Sequence, residues 1–331
     1  MRAVLRLAVV VALLCVGIAV PQPVDAVAAG VGSLRLVVEP LAGMAGIDTI
    51  LRAARRSVDL EIYELADPVV ESILAADATR GVRVRVILDK AYVGNENAAA
   101  FAYLVAHHVA VRWAPARFHL DHEKAAVIDD ATALVMTMNF TTRYYETTRD
   151  VVVIDTQPAD VAAIEATFTG DWETVGALSP PTGEDLLWSP GSQGALVRLI
   201  DSARTSIELE NEEMADTYVT DALATAARRG VKVVVVMTAD PEWRPALNTL
   251  AAAGAEVRTY PDSPTALYIH AKIVVVDPER ADGRAFVGSE NFSVSSLSYN
   301  RELGIVTTRP VVVATLARLC LSDAATGSAC R

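Results

Sequence analysis

At 331 residues the chain is long enough for about two domain-sized units, and an apolar content of 52% excludes a disordered protein. The net charge is −12 and no run of Lys or Arg appears, so the broad basic face of most nucleic-acid binders is missing. A local basic cleft remains compatible with that balance.

The first stretch has the form of an export signal. Arg2 and Arg6 precede the apolar run Leu7–Val20, and Ala26-Val27-Ala28 offers a small-x-small cleavage site. The run is short for a membrane span of about 20 residues. Residues 1–28 are therefore expected to be a cleaved signal peptide, and the mature chain to be secreted or held in the cell envelope. Leu13-Leu14-Cys15 lacks the small residues that precede a lipoprotein cysteine. No later apolar segment is long and uninterrupted enough to span a bilayer. Cys320 and Cys330 then remain, and in an oxidising compartment they are expected to pair and pin the tail. Neither has the neighbours of a nucleophile or a zinc ligand.

The rest reads as two similar halves, 29–178 and 179–331. Each opens with a helix of apolar spacing (47–55; 195–203) and a strand (58–63; 207–209). A second helix (69–80; 219–229) ends at Gly81 or Gly230, where a helix C-terminal glycine belongs. A Val- and Ile-rich strand (82–88; 231–237), a third helix (97–107; 245–253) and a short strand (111–113; 256–259) follow. Two more strands, a further strand at 151–154 or 304–307, and a last helix (158–168; 311–321) complete each half. Alternating strands and helices predict an α/β sandwich with a largely buried mixed sheet. The join is placed at Leu178–Gly183, where Pro180 and Pro181 break both periodicities.

The halves are a duplication. Ser57–Asp67 aligns with Ser206–Asp216, and Gly81 with Gly230. Each half carries H-x-K-x4-D: His122, Lys124 and Asp129 in the first, His270, Lys272 and Asp277 in the second. A small polar cluster follows, Thr137 to Asn139 and Ser289 to Asn291. In a strand, residues two apart share a face, so each His and Lys should project together. Two such strands packed about a pseudo-twofold axis would gather two imidazoles and two ammoniums around one anionic phosphorus centre. Lysine supplies a point charge, Asn, Ser and Thr supply donors, and the histidines supply nucleophile and acid. By strand parity Asp129 and Asp277 fall away from the imidazoles and suit the closing of a turn. Asp150 and Glu302, each preceded by an arginine, are the better partners for the imidazoles. Glu64 and Glu213 end matching strands and are further pocket candidates. His119, close to the motif, suits either the mouth of the pocket or a structural role, and His107-His108 a surface helix end.

By these residues the chain resembles the phospholipase D superfamily, across both halves and nearly all of the mature length. The resemblance implies two homologous α/β halves in a pseudo-twofold arrangement, acting as a monomer with one site between them. It implies a phosphohistidine intermediate with no metal and no cofactor, His122, Lys124, His270 and Lys272 in catalysis, and Asn139, Asn291, Ser289 and Thr137 on the phosphate. It also implies a downstream carboxylate orienting each histidine, which agrees with Asp150 and Glu302. The first half departs from the family pattern at Met136, opposite Gly288, where added bulk is expected either to narrow one side of the pocket or to mark the first half as the less active one. The expected activity is hydrolysis of the distal phosphodiester bond of phospholipids at a membrane surface, with transfer to other alcohols as a side activity. The alternatives are a metal-independent endonuclease and a catalytically weak phosphate-binding protein. A cardiolipin synthase role is disfavoured because no membrane spans follow the signal.

Overall fold

The computed structural model describes residues 27–28, 33–173 and 180–330. The apolar run Leu7–Val20 and the first residues of the join lie outside them. The first half runs β1 (Val27–Ala28), β2 (Leu34–Glu39), α1 (Ala45–Arg52), β3 (Ser57–Ile62), β4 (Leu65–Ala66), α2 (Pro68–Thr79), β5 (Arg83–Leu88), α3 (Ala98–Ala106), β6 (Ala110–Trp113), β7 (Lys124–Ile128), β8 (Thr132–Met136), β9 (Phe140–Thr141), β10 (Thr148–Asp155) and α4 (Pro158–Trp172). The second runs β11 (Leu186–Ser189), α5 (Gln193–Asp201), β12 (Ser206–Glu210), α6 (Thr217–Arg228), β13 (Lys232–Thr238), α7 (Arg244–Ala252), β14 (Glu256–Tyr260), β15 (Tyr268–Ile269), β16 (Ile273–Val276), β17 (Arg284–Gly288), α8 (Val294–Ser298), β18 (Glu302–Thr307), α9 (Pro310–Thr326) and β19 (Ser328–Ala329).

Two mixed sheets result, in the orders β1-β2-β10-β8-β7-β3-β5-β6 and β11-β18-β17-β16-β12-β13-β14-β19. Within each, the βαβ units give parallel neighbours (β3, β5, β6; β12, β13, β14) and the later hairpins give antiparallel ones. The helix ends follow from the repeated sequence. Asp67 and Asp216 cap α2 and α6 by accepting the N–H of Val69 (2.8 Å) and Val219 (2.9 Å). Gly81 and Gly230 lie just past those helices at φ +88° and +89°, a backbone region that a Cβ disfavours.

Strand alternation builds three apolar layers. In β3, Val58, Leu60 and Ile62 join Ile47, Leu51 and Ile73 of α1 and α2 in an outer core. Leu209, Val235 and Leu223 do the same in the second half. In β7 and β16 the intervening residues, Ala125, Val127, Ile273 and Val275, meet in one shared core with α4 and α9. The order is therefore helices, sheet, shared core, sheet, helices.

The halves also exchange backbone. β15 of the second half pairs in parallel with the start of β10, Arg149 opposite Ile269. Reciprocally, Asp121 bridges to Arg301 at the start of β18. Arg149 reaches Asp323 in α9 at 2.6 and 3.0 Å, and Arg301 reaches Asp171 in α4 at 2.8 and 3.1 Å, all four residues buried. Each half thus gives the other a backbone partner and an ion pair, as an isologous contact requires.

One expectation is corrected, and two strands are added to the predicted elements. β2 and β11, which flank β10 and β18, were not read from the sequence. The cysteines are free thiols. Cys320 is buried in the shared core, whereas Cys330 packs on the outer core beyond the same sheet, so the sheet separates them. Among the described residues no helix is long and apolar enough to cross a membrane.

Candidate active site

The four motif residues gather where β3 and β12 end and β7 and β16 begin. Lys124 is the first residue of β7, and His122 precedes the strand. His270 and Lys272 both precede β16. Alternation along a strand is therefore not what brings them together. Each lysine folds back instead, donating from Nζ to the carbonyl of its own histidine, at 2.8 Å in Lys124 and 2.6 Å in Lys272. Both lysines are buried.

The histidines are held across the two halves. His122 Nδ1 lies 2.9 Å from Glu302 Oε2, and His270 Nδ1 lies 2.8 Å from Asp150 Oδ1. The backbone exchange makes this possible: His122 N–H bonds the carbonyl of Arg301 (2.9 Å), and His270 N–H that of Arg149 (3.2 Å). The residue after each arginine is the carboxylate that meets the ring. Asn300 Nδ2 fixes the other oxygen of Glu302 at 3.0 Å. A carboxylate on Nδ1 sets the tautomer and leaves Nε2 for chemistry.

Thr137 departs from its expected place on the phosphate. It is fully buried, accepts the N–H of Val151 (2.9 Å) and gives its hydroxyl proton to Asp150 (2.5 Å). Its one donor is spent behind the carboxylate. Ser289 is likewise fully buried, and its Oγ accepts the N–H of Leu303 (3.1 Å). Asn139 is half-buried, and its Oδ1 has no partner among the described residues. Asn291 donates from Nδ2 to Glu212 (3.2 Å) and Glu213 (3.1 Å).

Glu212 is not among the residues singled out from the sequence, where Glu64 and Glu213 are the candidates at these strand ends. Its Oε2 lies 3.0 Å from Lys272 Nζ and 3.5 Å from His270 Nε2, and its Oε1 accepts Tyr268 Oη at 2.9 Å. The position aligned with it in the first half holds Tyr63. That ring meets His122 edge-on at 4.7 Å, and Lys124 Nζ lies 5.0 Å from its centre. Glu64 is paired instead with Arg143 at 3.0 Å. A signal did exist: the aligned stretch departs from likeness at two adjacent positions, Ile62 opposite Asn211 and Tyr63 opposite Glu212.

Burial, reinforced by Lys272, brings Lys124 down to about 7. Burial and the Lys124 charge also lower His122 against the opposing pull of Glu302, and the net lowering favours a neutral ring. Burial opposes ionisation of Glu212, yet Lys272, His270 and His122 together hold its carboxyl well below the ordinary range.

The motif aspartates stay away from the rings. Asp129, at φ +56°, accepts the N–H groups of Arg55, Arg56 and Ser57 at 2.6 to 3.0 Å. Asp277, at φ +51°, does the same for Arg204, Thr205 and Ser206 at 2.7 to 3.0 Å. They tie the loop entering β3 or β12 rather than their own turn. Met136 is buried in the outer core and does not narrow the site. His107 binds the carbonyl of Tyr103 at a helix end, and His119 Nδ1 lies 2.8 Å from Ser295 Oγ beside the opening. Among the described residues no group of His, Cys, Asp and Glu is set to hold a metal ion.

Paired histidines with crossed carboxylates at the junction of two duplicated α/β halves define a phospholipase D-like phosphodiesterase. The sequence profile of the family described as "Cardiolipin synthase, PLD-like domain" matches residues 47–172 and 196–322, and the chain belongs to that family of the phospholipase D superfamily. Mitochondrial cardiolipin hydrolase of Xenopus tropicalis is 29% identical over 124 residues, 38% of this chain and 58% of the relative; that of Xenopus laevis is 28% identical over 123 residues, 37% and 58%. The chain thus spans somewhat over half the length of these relatives. Among solved structures, phosphatidylserine synthase of Haemophilus influenzae Rd KW20 superposes with a TM-score of 0.69 at 12% identity, covering 90% of this chain and 87% of the other. Polyphosphate kinase of Porphyromonas gingivalis gives 0.66 at 15% identity, covering 88% and 50%. At these identities the likeness is one of fold.

Proposed function

We propose that the protein hydrolyses membrane phospholipids at the bond between phosphorus and the head-group oxygen. The observation that carries this reading is the crossed pairing His122–Glu302 and His270–Asp150, which leaves one Nε2 on each ring for one phosphorus. His122, kept neutral by burial, attacks phosphorus through Nε2. As the N–P bond forms, the P–O bond to the head group breaks, and His270 gives its Nε2 proton to the departing oxygen. His270 then takes a proton from water, which displaces His122 and releases phosphatidate; an alcohol in place of water gives transfer. Lys124, Lys272, Asn139 and Asn291 neutralise the non-bridging oxygens.

Two further observations support a lipid substrate. The chain is acidic overall. Two relatives are named as cardiolipin hydrolases. Export through residues 1–28 would deliver the enzyme to the envelope or beyond.

The test incubates the mature protein, with chelator, with labelled phosphatidylcholine, phosphatidylethanolamine, cardiolipin and plasmid DNA. Release of a head group alongside phosphatidate is expected. Cleavage of DNA alone would replace the lipid reading with the nuclease one, and loss of all activity in chelator would remove the metal-free mechanism.

A further inference from the structure

The two halves present different partners to a phosphate. In the first, Lys124 Nζ has the carbonyl of His122 and the ring of Tyr63. In the second, Lys272 Nζ, Asn291 Nδ2 and His270 Nε2 converge on one carboxylate oxygen, Glu212 Oε2, at 3.0, 3.2 and 3.5 Å. These are the groups that the second half offers to an oxyanion. A carboxylate oxygen and a non-bridging phosphate oxygen make the same kind of charge-assisted bond to the same donors. Asn291 Nδ2, already bonded to Glu212 and Glu213, and His270 Nε2, with a single proton, have no donor to spare for a second oxyanion, and Glu212 repels one at contact distance.

We propose that Glu212 is the resident anion of the second half's phosphate subsite, and that a phosphate group binds there only by displacing it. The inference rests on reading this pocket as a phosphodiester site. Glu212 is placed to leave, because a fifth of its side chain is exposed (21%) while Lys272 is fully buried. Tyr268 holds the outgoing side through its hydroxyl on Oε1 at 2.9 Å. Lys272 therefore always has a counter-charge, which a buried ammonium requires.

Displacement makes the site selective. A small phosphate must give up part of its binding energy to move Glu212. A phosphodiester with two substituents recovers that cost through contacts elsewhere in the pocket. Inorganic phosphate is thereby weakened relative to substrate.

Calorimetric titration of inorganic phosphate into the full mature protein tests this without turnover. Glu212→Gln keeps an acceptor for Lys272 and removes the negative charge. It should tighten phosphate binding by about tenfold or more, equivalent to about 1.4 kcal/mol. Adding Lys272→Ala to that variant should abolish the gain. Tyr268→Phe, which loosens Glu212 without touching a phosphate donor, should tighten binding by a smaller factor. Unchanged or weaker binding in folded Glu212→Gln overturns the proposal. If that variant does not fold, an absence of any gain in Tyr268→Phe does so. Hydrolysis of a chromogenic phosphodiester by the wild-type protein is followed in parallel. Its absence would count against the phosphodiesterase reading alone, since the phosphate titration judges Glu212 separately.

Discussion

His122 and His270 each commit one ring nitrogen to a carboxylate of the opposite half, so neither half holds a complete catalytic pair. His122→Ala and His270→Ala should each lower kcat by about 10³-fold or more, since nucleophile and acid act on one phosphorus. Near-normal turnover in either variant would dismiss the shared site. Asp150→Asn and Glu302→Gln preserve shape but change what Nδ1 meets, and should lower kcat by about 10²-fold or more with little change in melting temperature. Asp129 and Asp277 give the opposite pattern. Burial works against their ionisation, but the backbone N–H groups gathered around each carboxylate outweigh it and hold it below the ordinary range. Asp129→Asn and Asp277→Asn should cost about 0.5–2 kcal/mol of stability, as loss of a cap does, and change the rate little. Turnover tracking these aspartates in well-folded variants would reverse the assignment. Much of this was legible because the motif occurs twice, and a doubled His–Lys pair has few other uses. The crossing was not legible, because nothing in a linear repeat says which carboxylate meets which ring. Thr137 was misread for a related reason: a hydroxyl's place in a cluster does not reveal which neighbour takes its single proton.

At the scale of elements, the starts of β10 and β18 do the positioning. Beside each start lies an arginine anchored to the last helix of the opposite half, Arg149 as the second residue of β10 to Asp323 in α9 and Arg301 just before β18 to Asp171 in α4. The next residue is the carboxylate on a histidine. Asp323→Asn removes one member of a buried pair and should cost about 3–5 kcal/mol. It should also lower kcat, because Arg149 directs the backbone that bonds His270. Denaturant unfolding with parallel kinetics checks both, and an unchanged midpoint would discount the anchor. The main βαβ elements were readable from apolar period and from the glycines after α2 and α6. β2 and β11 were not, because each stands ahead of its half's first helix, outside the stretches that the repeat aligned. Their pairing with β10 and β18 is decided by the tertiary fold.

Across the whole molecule, folding takes many carboxylates out of water. Burial is the leading cause that raises Asp121, Asp155, Glu165 and Glu208, each to about 7. Unfolded carboxyls titrate near about 4, so between pH 4 and 7 the folded chain binds more protons than the unfolded one. Raised carboxyl groups stabilise the fold fully below that window and lose the contribution as pH rises through it. The lowered His122, and Lys124 at the top of the window, act in the other direction, but the four raised carboxyls outnumber them. The melting temperature should therefore be higher at pH 5 than at pH 7, and a curve rising steadily over that interval would contradict the balance.

The crossing of the histidine partners also has a consequence in time. The two catalytic hydrogen bonds join residues 180 and 120 positions apart in the chain. Contacts of such separation form only after the intervening chain has been ordered, whereas the helices and the βαβ units close over short distances. A refolding chain should regain its helical circular dichroism well before it regains turnover, with the lag set by docking of the two halves. If the two signals returned together, the site would have to assemble as early as the elements that carry it.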